Sequence, residues 1–200
     1  MLISFEEAVK RIDNDQVIAT VTDTVFGLAC SYQSEKGAKK IFDLKHRDLS
    51  MALPILFSQV DSLKELCAKF PPGFEELANA FWPGGLTLII EASLHIPSIV
   101  RAGKSTIGLR QPDHTELLKL LDAVGPLAST SANLSGTPPA EEVNMIEKTF
   151  GADFPVYHEG KMPKNTPSTV LEFTQNYWHV RREGAISENQ IKKVITNLAG

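Results

Sequence analysis

The sequence has few cysteines and no apolar run long enough to cross a bilayer. Cys30 and Cys67 are its only cysteines, and they lie far apart. A disulfide scaffold or a cysteine-based zinc site is therefore not expected, and a reducing compartment suits the composition. No apolar run reaches the roughly 18 residues that a membrane-spanning helix needs. Because Glu6 and Glu7 make the first residues acidic too early for a secretory signal, we expect a cytoplasmic protein without membrane contact.

Several common nucleotide-binding and hydrolase motifs are also missing. The sequence contains no P-loop, no G-x-G-x-x-G, no G-x-S-x-G and no H-E-x-x-H. Its five histidines are scattered without the spacing of metal ligands. These absences argue against familiar nucleotide-binding folds and against a metallohydrolase. We predict no metal site built from protein ligands.

The charge of the chain is negative overall, but its cations are unevenly spread. A formal net charge of −4 does not favour binding driven by bulk attraction to nucleic acid. The cations fall into three groups, which are Lys36, Lys39, Lys40, Lys45, His46 and Arg47, then Arg101, Lys104 and Arg110, and finally Lys161, Lys164, Arg181 and Arg182. They could be solvated helix faces and loop ends, or some could converge on an anionic ligand. Composition alone favours the first interpretation.

The hydrophobic pattern predicts a single α/β domain over residues 1–200, because 42% hydrophobic and 22% charged residues allow one sizeable core. Strand-like and helix-like segments interleave without a strict βαβ alternation, which favours a twisted mixed sheet with flanking helices. The predicted strands are 17–21, 53–57, 86–90, 106–110, 126–130, 169–173 and 177–182. The predicted helices are one beginning at 5, then 35–44, 61–69, 74–81, one ending near 121, 137–150 and one following 187.

Local signals refine several element ends. Ser4 and Ser187 each begin a capping box, and Asp113 is the predicted cap of the helix that ends near residue 121. Pro54 suits an edge strand or the start of a strand. The stretch His158–Pro167 is rich in Gly, Pro, Lys and Asn, which is typical of a mobile loop.

Five polar segments at the ends of predicted elements could bind a ligand. They are 22–27, 45–47, 106–112, 129–136, and 167–169 together with 180–185. Each also has a plain structural interpretation, such as a turn that closes a strand, a cation at a helix end or a surface charge. The segment Ser129–Gly136 offers four hydroxyls, one amide and a glycine after an apolar strand, an arrangement that can cradle an anion. For this segment, function and an ordinary polar loop are equally supported.

Taken together and in order, these segments resemble the YrdC-type threonylcarbamoyl-AMP synthase family. The matching motifs are V-T-D-T-V-F-G-L at 21–28, K-H-R at 45–47, W-P-G-G-L-T at 82–87, I-G-L-R-Q-P at 107–112, S-A-N-L-S-G at 131–136, S-T-V at 168–170 and V-R-R-E-G-A at 180–185. The chain departs from the family pattern at Val21, Phe26, Asp48 and Met51. Seven motifs in the family order span nearly the whole chain, and the match is to the short, single-domain branch.

The resemblance implies a YrdC-like fold with a central, positively lined concavity and an ATP-dependent reaction. L-threonine, bicarbonate and ATP would give threonylcarbamoyl-AMP and pyrophosphate, and partner proteins would pass the threonylcarbamoyl group to tRNA. Mg²⁺ would accompany ATP, held largely by phosphates and water. Such chemistry needs positioning and charge stabilisation rather than a covalent nucleophile.

The resemblance also assigns roles to individual residues. Lys45 and Arg47 would be catalytic and hold the ATP phosphates, and Arg110 would pair with the threonine carboxylate. The remaining threonine-site residues would be Thr24, Ser129 and Ser168, and the remaining nucleotide contacts Thr106, Ser131, Asn133 and Arg182.

Two alternatives remain open. The chain could be a non-catalytic module that binds double-stranded RNA or tRNA, although its net charge and the absence of interleaved aromatics do not favour this. A weak RNA contact would also be compatible with the synthase. The chain could instead act on another carbamoyl compound.

Overall fold

One mixed sheet organises the chain. The structure is a computed structural model and describes residues 1–196, with Thr196 described by its backbone, so the last four residues of the predicted domain lie outside the described residues. The strands are β1 Leu2–Ile3, β2 Ile18–Thr20, β3 Gly27–Ser31, β4 Ile55–Leu56, β5 Leu86–Glu91, β6 Thr106–Arg110, β7 Leu127–Ser131, β8 Val156–Tyr157, β9 Thr169–Thr174 and β10 Tyr177–Arg182. The helices are α1 Phe5–Asp13, α2 Glu35–Lys45, α3 Leu63–Leu66, α4 Phe74–Phe81, α5 Ser98–Arg101, α6 Thr115–Val124, α7 Val143–Phe150 and α8 Glu188–Thr196.

The strands follow the spatial order β1-β8-β2-β3-β7-β4-β6-β5-β9-β10. The pairs β1/β8, β8/β2, β4/β6 and β5/β9 are parallel, and the other pairs are antiparallel. The predicted twisted mixed sheet is therefore confirmed. Long-range registers such as Leu2 with Val156 and Leu86 with Thr169 bring distant segments to neighbouring positions.

Helices cover both faces of the sheet. On one face α1 and α6 bury Ile12, Leu117 and Leu121 against residues of β2, β3 and β7. On the other face α2, α4, α7 and α8 contribute to the larger core, including Ile41 and Leu77. The two apolar layers explain why each predicted helix has one apolar stripe. Within residues 1–196, no helix has both the length and the hydropathy required to span a bilayer.

The structure corrects the sequence prediction at four strands. The strand predicted at 53–57 is reduced to β4, which lies between β7 and β6 in the interior of the sheet. Pro54 lies directly before this inner strand, so of the two alternatives for Pro54 the start of a strand is confirmed and the edge is wrong. Strand β3 was not predicted, because Gly27–Ser31 contains no β-branched or aromatic residue although the strand is almost wholly buried. The short parallel pair β1 and β8 was not predicted either.

Helix ends agree with the predictions where the caps are serines. Ser4 Oγ accepts a hydrogen bond from Glu7 N at 3.3 Å, and Ser187 Oγ accepts one from Gln190 N at 3.4 Å. The cap of α6 is His114 rather than the predicted Asp113, because His114 Nδ1 accepts from Leu117 N at 3.3 Å.

Two other helices differ in length from their predicted spans, and one helix was not predicted. The helix predicted at 137–150 begins only at Val143, since Ala140 N donates to Ala132 O at 3.0 Å and holds the proline-containing stretch out of the helix. The helix predicted at 61–69 is shortened to a 3-10 turn at Val60–Ser62 and α3. A four-residue helix, α5, was not predicted.

Candidate functional site

A cavity of about 400 Å³ lies against the middle of the sheet, between the polar segments singled out in the sequence. Arg110 at the end of β6, Ser131 at the end of β7 and Ser168 just before β9 all line it. The predicted site residues on its walls are Thr24, Arg47, Arg110, Ser129, Ser131, Asn133, Ser168 and Arg182. Sheet topology thus brings together residues that are up to 158 positions apart in the sequence, from 24 to 182.

The cavity carries positive charge. Three arginines line it, Arg47, Arg110 and Arg182, and the described residues on its walls include no Asp or Glu. The predicted positively lined concavity is therefore present in a chain whose net charge is −4. Within residues 1–196 no group of three or more His, Cys, Asp or Glu is arranged to hold a metal ion. The arrangement suits an anionic ligand.

Arg110 is the most deeply buried arginine of the cavity, with a side chain that is 7% exposed. Its Nε donates to Gly84 O at 2.9 Å, its Nη1 to Thr24 Oγ1 at 2.7 Å and its Nη2 to Asp23 Oδ1 at 2.5 Å. The W-P-G-G motif therefore contributes to this site, because the main-chain carbonyl of its third residue, Gly84, fixes the side chain of Arg110. A guanidinium has five N–H groups, so two remain for a ligand.

The loop 22–27 is both an ordinary turn and a wall of the cavity. Thr22 Oγ1 accepts hydrogen bonds from Thr24 N and Val25 N, both at 3.1 Å. These bonds form a hydroxyl-capped turn, which was the structural interpretation of this loop. This turn places Thr24 beside Arg110. Gly27 then begins β3, where a Cβ would lie only 3.0 Å from Ser129 Oγ on β7. The glycine thus allows the hydroxyl of Ser129 to sit beside this loop.

Lys45 lies behind the cavity wall rather than on it. It is the last residue of α2 and is 1% exposed. Its Nζ donates to Ser131 O at 2.5 Å, Asn133 O at 2.6 Å and Asn133 Oδ1 at 3.0 Å. Lys45 therefore holds the S-A-N segment in place, and its predicted contact with ATP phosphates stays a prediction.

The pKa of Lys45 leads to a pH-dependent prediction. Burial, and then the nearby charge of Arg47, lower the pKa of its ammonium to about 8. Between this value and the unfolded value near 10.4, the unfolded chain binds more protons, so the free energy of unfolding should rise with pH. The contribution of one such group is at most about 1.4 kcal/mol per pH unit. Below the folded pKa, the cost of burying the charge is fully present.

Denaturant unfolding between pH 7 and 9.5 will measure this effect. We expect the stability difference between the native chain and Lys45→Met to move in favour of the native chain as pH rises. Parallel pH profiles for the two proteins would contradict the assignment. Above the folded pKa the neutral amine has only two N–H groups for three oxygen acceptors, so the S-A-N segment should loosen in the same pH range.

Arg47 faces the cavity because the chain turns sharply before it. His46, the C-cap of α2, adopts a left-handed conformation with φ 49°. Arg47 Nη1 then reaches Thr130 Oγ1 at 3.4 Å, and its Nη2 donates to Ala52 O at 3.1 Å. The guanidinium thus links the turn after α2 to β7 while keeping free N–H groups.

Arg182 and Ser168 form the opposite wall. Arg182 Nη2 donates to Ser168 O at 2.9 Å, and the Ser168 hydroxyl lies 2.9 Å from Thr87 Oγ1. Thr169 Oγ1 accepts from Gly184 N at 2.9 Å, which fastens the late R-x-G-A segment to the start of β9. The S-T-V and R-x-G-A motifs therefore act as one structural unit.

Some residues of the site were not predicted, and two predicted residues, Lys45 and Thr106, do not line the cavity. Thr87, Thr130 and Thr137 also line the cavity, and their small-polar character within or beside the matched motifs was the available signal. Thr106 does not line the cavity. It begins β6 and lies roughly 13 Å from Arg110 along the strand. Its nucleotide contact stays a prediction that this location does not favour.

Close packing of two glycine-containing motifs gives another prediction. A Cβ on Gly85 would lie 2.6 Å from the Cβ of Ala185. We expect Gly85→Ala to destabilise the protein by about 1–3 kcal/mol through overpacking. Adding Ala185→Gly should restore most of that loss, as measured by denaturant unfolding of both single variants and the double variant. Additive effects in this cycle would contradict the predicted clash.

A family model and several relatives match most of this chain. A model of the Sua5/YciO/YrdC family, described as "Telomere recombination", matches residues 10–184. A threonylcarbamoyl-AMP synthase of Pyrococcus abyssi is 32% identical over 186 residues, which cover 92% of this chain and 55% of that protein. One from Buchnera aphidicola (from Acyrthosiphon pisum) is 31% identical over 163 residues, which cover 80% of this chain and 93% of that protein. The chain thus spans about half of the first relative and nearly all of the second.

Solved structures match the same fold. The crystal structure of P. abyssi Sua5 complexed with L-threonine aligns with a TM-score of 0.91 at 30% identity, covering 96% of this chain and 57% of that one. Escherichia coli YciO aligns with a TM-score of 0.81 at 23% identity, covering 92% of this chain and 90% of that one, and supports the fold alone. The chain belongs to the Sua5/YciO/YrdC family, and the resemblance drawn from its seven motifs is confirmed.

Proposed function

We propose that this chain is an L-threonylcarbamoyladenylate synthase, a nucleotidyltransferase that converts L-threonine, bicarbonate and ATP to threonylcarbamoyl-AMP and pyrophosphate. The observation that carries the proposal is the cavity itself, which presents three arginines and several hydroxyls without a carboxylate on its described walls. The names of the relatives support the same activity, and a relative with a TM-score of 0.91 was crystallised with L-threonine.

The threonine end of the cavity would lie at Arg110. Its two remaining N–H groups suit the two oxygens of an amino-acid carboxylate. Thr24, Ser129 and Ser168 surround this end with hydroxyls that are buried and therefore held in fixed positions. These groups can donate to or accept from the polar groups of threonine.

The nucleotide end would lie between Arg47 and Arg182, with Ser131 and Asn133 on the connecting wall. Arginines at both sides can hold phosphate oxygens and stabilise the charge that develops on them. Lys45 would act through the main chain of the S-A-N segment that it fixes. Mg²⁺ would come with ATP and be held by phosphates and water, since the described residues offer it no carboxylate cluster.

The reaction balances without a protein nucleophile. The neutral amine of threonine attacks the carbon of bicarbonate, and the carbamate anion forms with loss of one water molecule. A carbamate oxygen then attacks the α-phosphorus of ATP, and pyrophosphate leaves with the electron pair of the broken P–O bond. Because the described cavity walls hold no carboxylate, the positive field favours the neutral amine over the ammonium and stabilises the carbamate.

The product would serve tRNA modification, in which partner proteins transfer the threonylcarbamoyl group to tRNA. Residues 1–200 would then act as one YrdC-like domain in the cytoplasm. A non-catalytic RNA-binding module would use the same charge without needing the Arg110 network.

Pyrophosphate release tests the proposal. The chain is incubated with ATP, bicarbonate and Mg²⁺, with and without L-threonine, and the nucleotide product is identified by mass spectrometry. We expect release that depends on both threonine and bicarbonate. Salt-sensitive tRNA binding without any release would instead support the RNA-binding module.

A further inference from the structure

The carboxylate of Asp23 lies directly behind the cavity and has no part in the function proposed above. Asp23 belongs to the loop 22–27, and its side chain is 7% exposed. Its neighbour Thr24 and its ion-pair partner Arg110 line the cavity, whereas Asp23 lines the two cavities on the other side of the loop. Asp23 can therefore influence a ligand only through Arg110 or through the loop.

The hydrogen bonds of Arg110 show what this carboxylate controls. Three of the five guanidinium N–H groups are occupied, by Gly84 O, Thr24 Oγ1 and Asp23 Oδ1. The occupied groups are spread over all three nitrogens, so the plane of the guanidinium is fixed. One N–H of Nη1 and one of Nη2 are left, and such a pair matches the two oxygens of a carboxylate.

Asp23 is itself held in position. Its main-chain carbonyl accepts from Lys164 N at 3.3 Å, and the next residue donates from Thr24 N to Thr22 Oγ1 at 3.1 Å. The main chain on both sides of this side chain is therefore held before any ligand binds, and the carboxylate itself is held by its bond to Arg110, as preorganised recognition requires.

The charge of Asp23 also distinguishes Arg110 from the other two arginines of the cavity. Asp23 offsets the positive charge of Arg110, so the uncompensated charges on the cavity walls are those of Arg47 and Arg182. A guanidinium without this partner would attract phosphate or pyrophosphate as readily as an amino-acid carboxylate. Pairing with Asp23 weakens the attraction of Arg110 for phosphate. The ligand is then selected mainly by the geometry of the two free N–H groups.

We propose that Asp23 is a positioning residue, which orients Arg110 for the carboxylate of the amino-acid substrate and keeps phosphate out of this end of the cavity. The inference rests on the function proposed above, and it names a residue that helps the enzyme to select its amino-acid substrate. It assigns Asp23 no contact with the substrate.

Steady-state kinetics of Asp23→Asn test the inference, because asparagine keeps the size and an acceptor oxygen but removes the charge. We expect the KM for L-threonine to rise about 10-fold or more, the size of a lost charged hydrogen bond. The KM for ATP should stay within about two-fold, and inorganic phosphate should become a stronger competitor of threonine. Asp113→Asn is the matched control, since Asp113 lines the same two rear cavities but makes no bond to Arg110.

Asp23→Glu separates charge from position. The longer side chain keeps the charge but displaces the guanidinium, so the KM for threonine should rise while inhibition by phosphate stays as in the native chain. This variant also decides the matter if Asp23→Asn fails to fold. An unchanged KM for threonine in either folded variant, or equal increases for threonine and ATP, would overturn the positioning role.

Direct binding distinguishes failure of the inference from failure of the proposed function. If the native chain releases no pyrophosphate with threonine, calorimetry with small amino acids is compared for the native chain and Asp23→Asn. Amino-acid binding that is lost with the Asp23 charge supports the positioning role even though the proposed reaction is wrong. Binding that is absent, or equal in the two proteins, overturns the positioning role as well.

Discussion

Replacing Arg110 by lysine is expected to lower kcat/KM for L-threonine by about 100-fold or more. Lysine keeps one positive charge near Asp23 but cannot supply the planar pair of N–H groups, and charged hydrogen bonds contribute about 1.5–3 kcal/mol each. Arg110→Ala should lose at least as much, a few kcal/mol in transition-state terms. That variant also leaves the Asp23 carboxylate buried without its partner, which costs about 3–5 kcal/mol of stability.

The lysine variant is therefore the sharper test, with threonine-dependent pyrophosphate release as the measurement. Arg101→Lys provides the control, because Arg101 also donates to main-chain carbonyls, of Ile96 at 2.9 Å and Lys104 at 2.7 Å, but does not line the cavity. Near-native threonine kinetics in Arg110→Lys would remove Arg110 from the threonine site.

Replacing Lys45 by methionine is expected to reduce ATP turnover by about 100-fold while the protein stays folded. Methionine fills a similar volume but leaves Ser131 O and Asn133 O without their donor, so the wall beside the proposed nucleotide site loses its fixed shape. Loss of preorganised groups of this kind costs about 10²–10³ in kcat. The free energy of unfolding should change little, because the cost of burying the ammonium is relieved and this offsets part of the lost hydrogen bonding.

Lys40→Met is the matched control, since Lys40 is an exposed lysine on the same helix and does not line the candidate cavity. Turnover and unfolding are measured for both variants, as well as for Arg47→Ala, which should also lose ATP turnover with its fold intact. Unfolding of Lys45→Met would instead assign Lys45 a mainly structural role at the end of α2.

The sequence predicts an element of the fold where its local sequence and its tertiary packing favour the same secondary structure. The alternating residues of β6 and the serine caps of α1 and α8 carried enough local information to place those elements. In contrast, β3 is a strand because it is buried between β2 and β7, and its small residues have no strong strand preference of their own. The pair β1 and β8 depends on contacts between residues more than 150 positions apart, which local patterns do not reveal.

For the site, residue types and their order predicted which segments meet, but not which side chains face the cavity. The motif K-H-R indicated two cations for one ligand, whereas the structure turns Arg47 into the cavity and Lys45 behind its wall. This difference follows from the left-handed conformation of His46, which only a few per cent of residues other than glycine adopt. Asp23 was equally inconspicuous, because its importance depends on a partner 87 positions away.

The pairing of β1 with β8 and of β5 with β9 has a consequence for synthesis on the ribosome. Chains grow at about 5–20 residues per second, so Leu2 waits on the order of 10 s before Val156 emerges to pair with it. Ser168 and Arg182 emerge later still, and both line the cavity. Most of the synthesis therefore passes before an inner strand such as β2 has both of its neighbouring strands, and the complete candidate cavity forms only after Arg182 has left the exit tunnel.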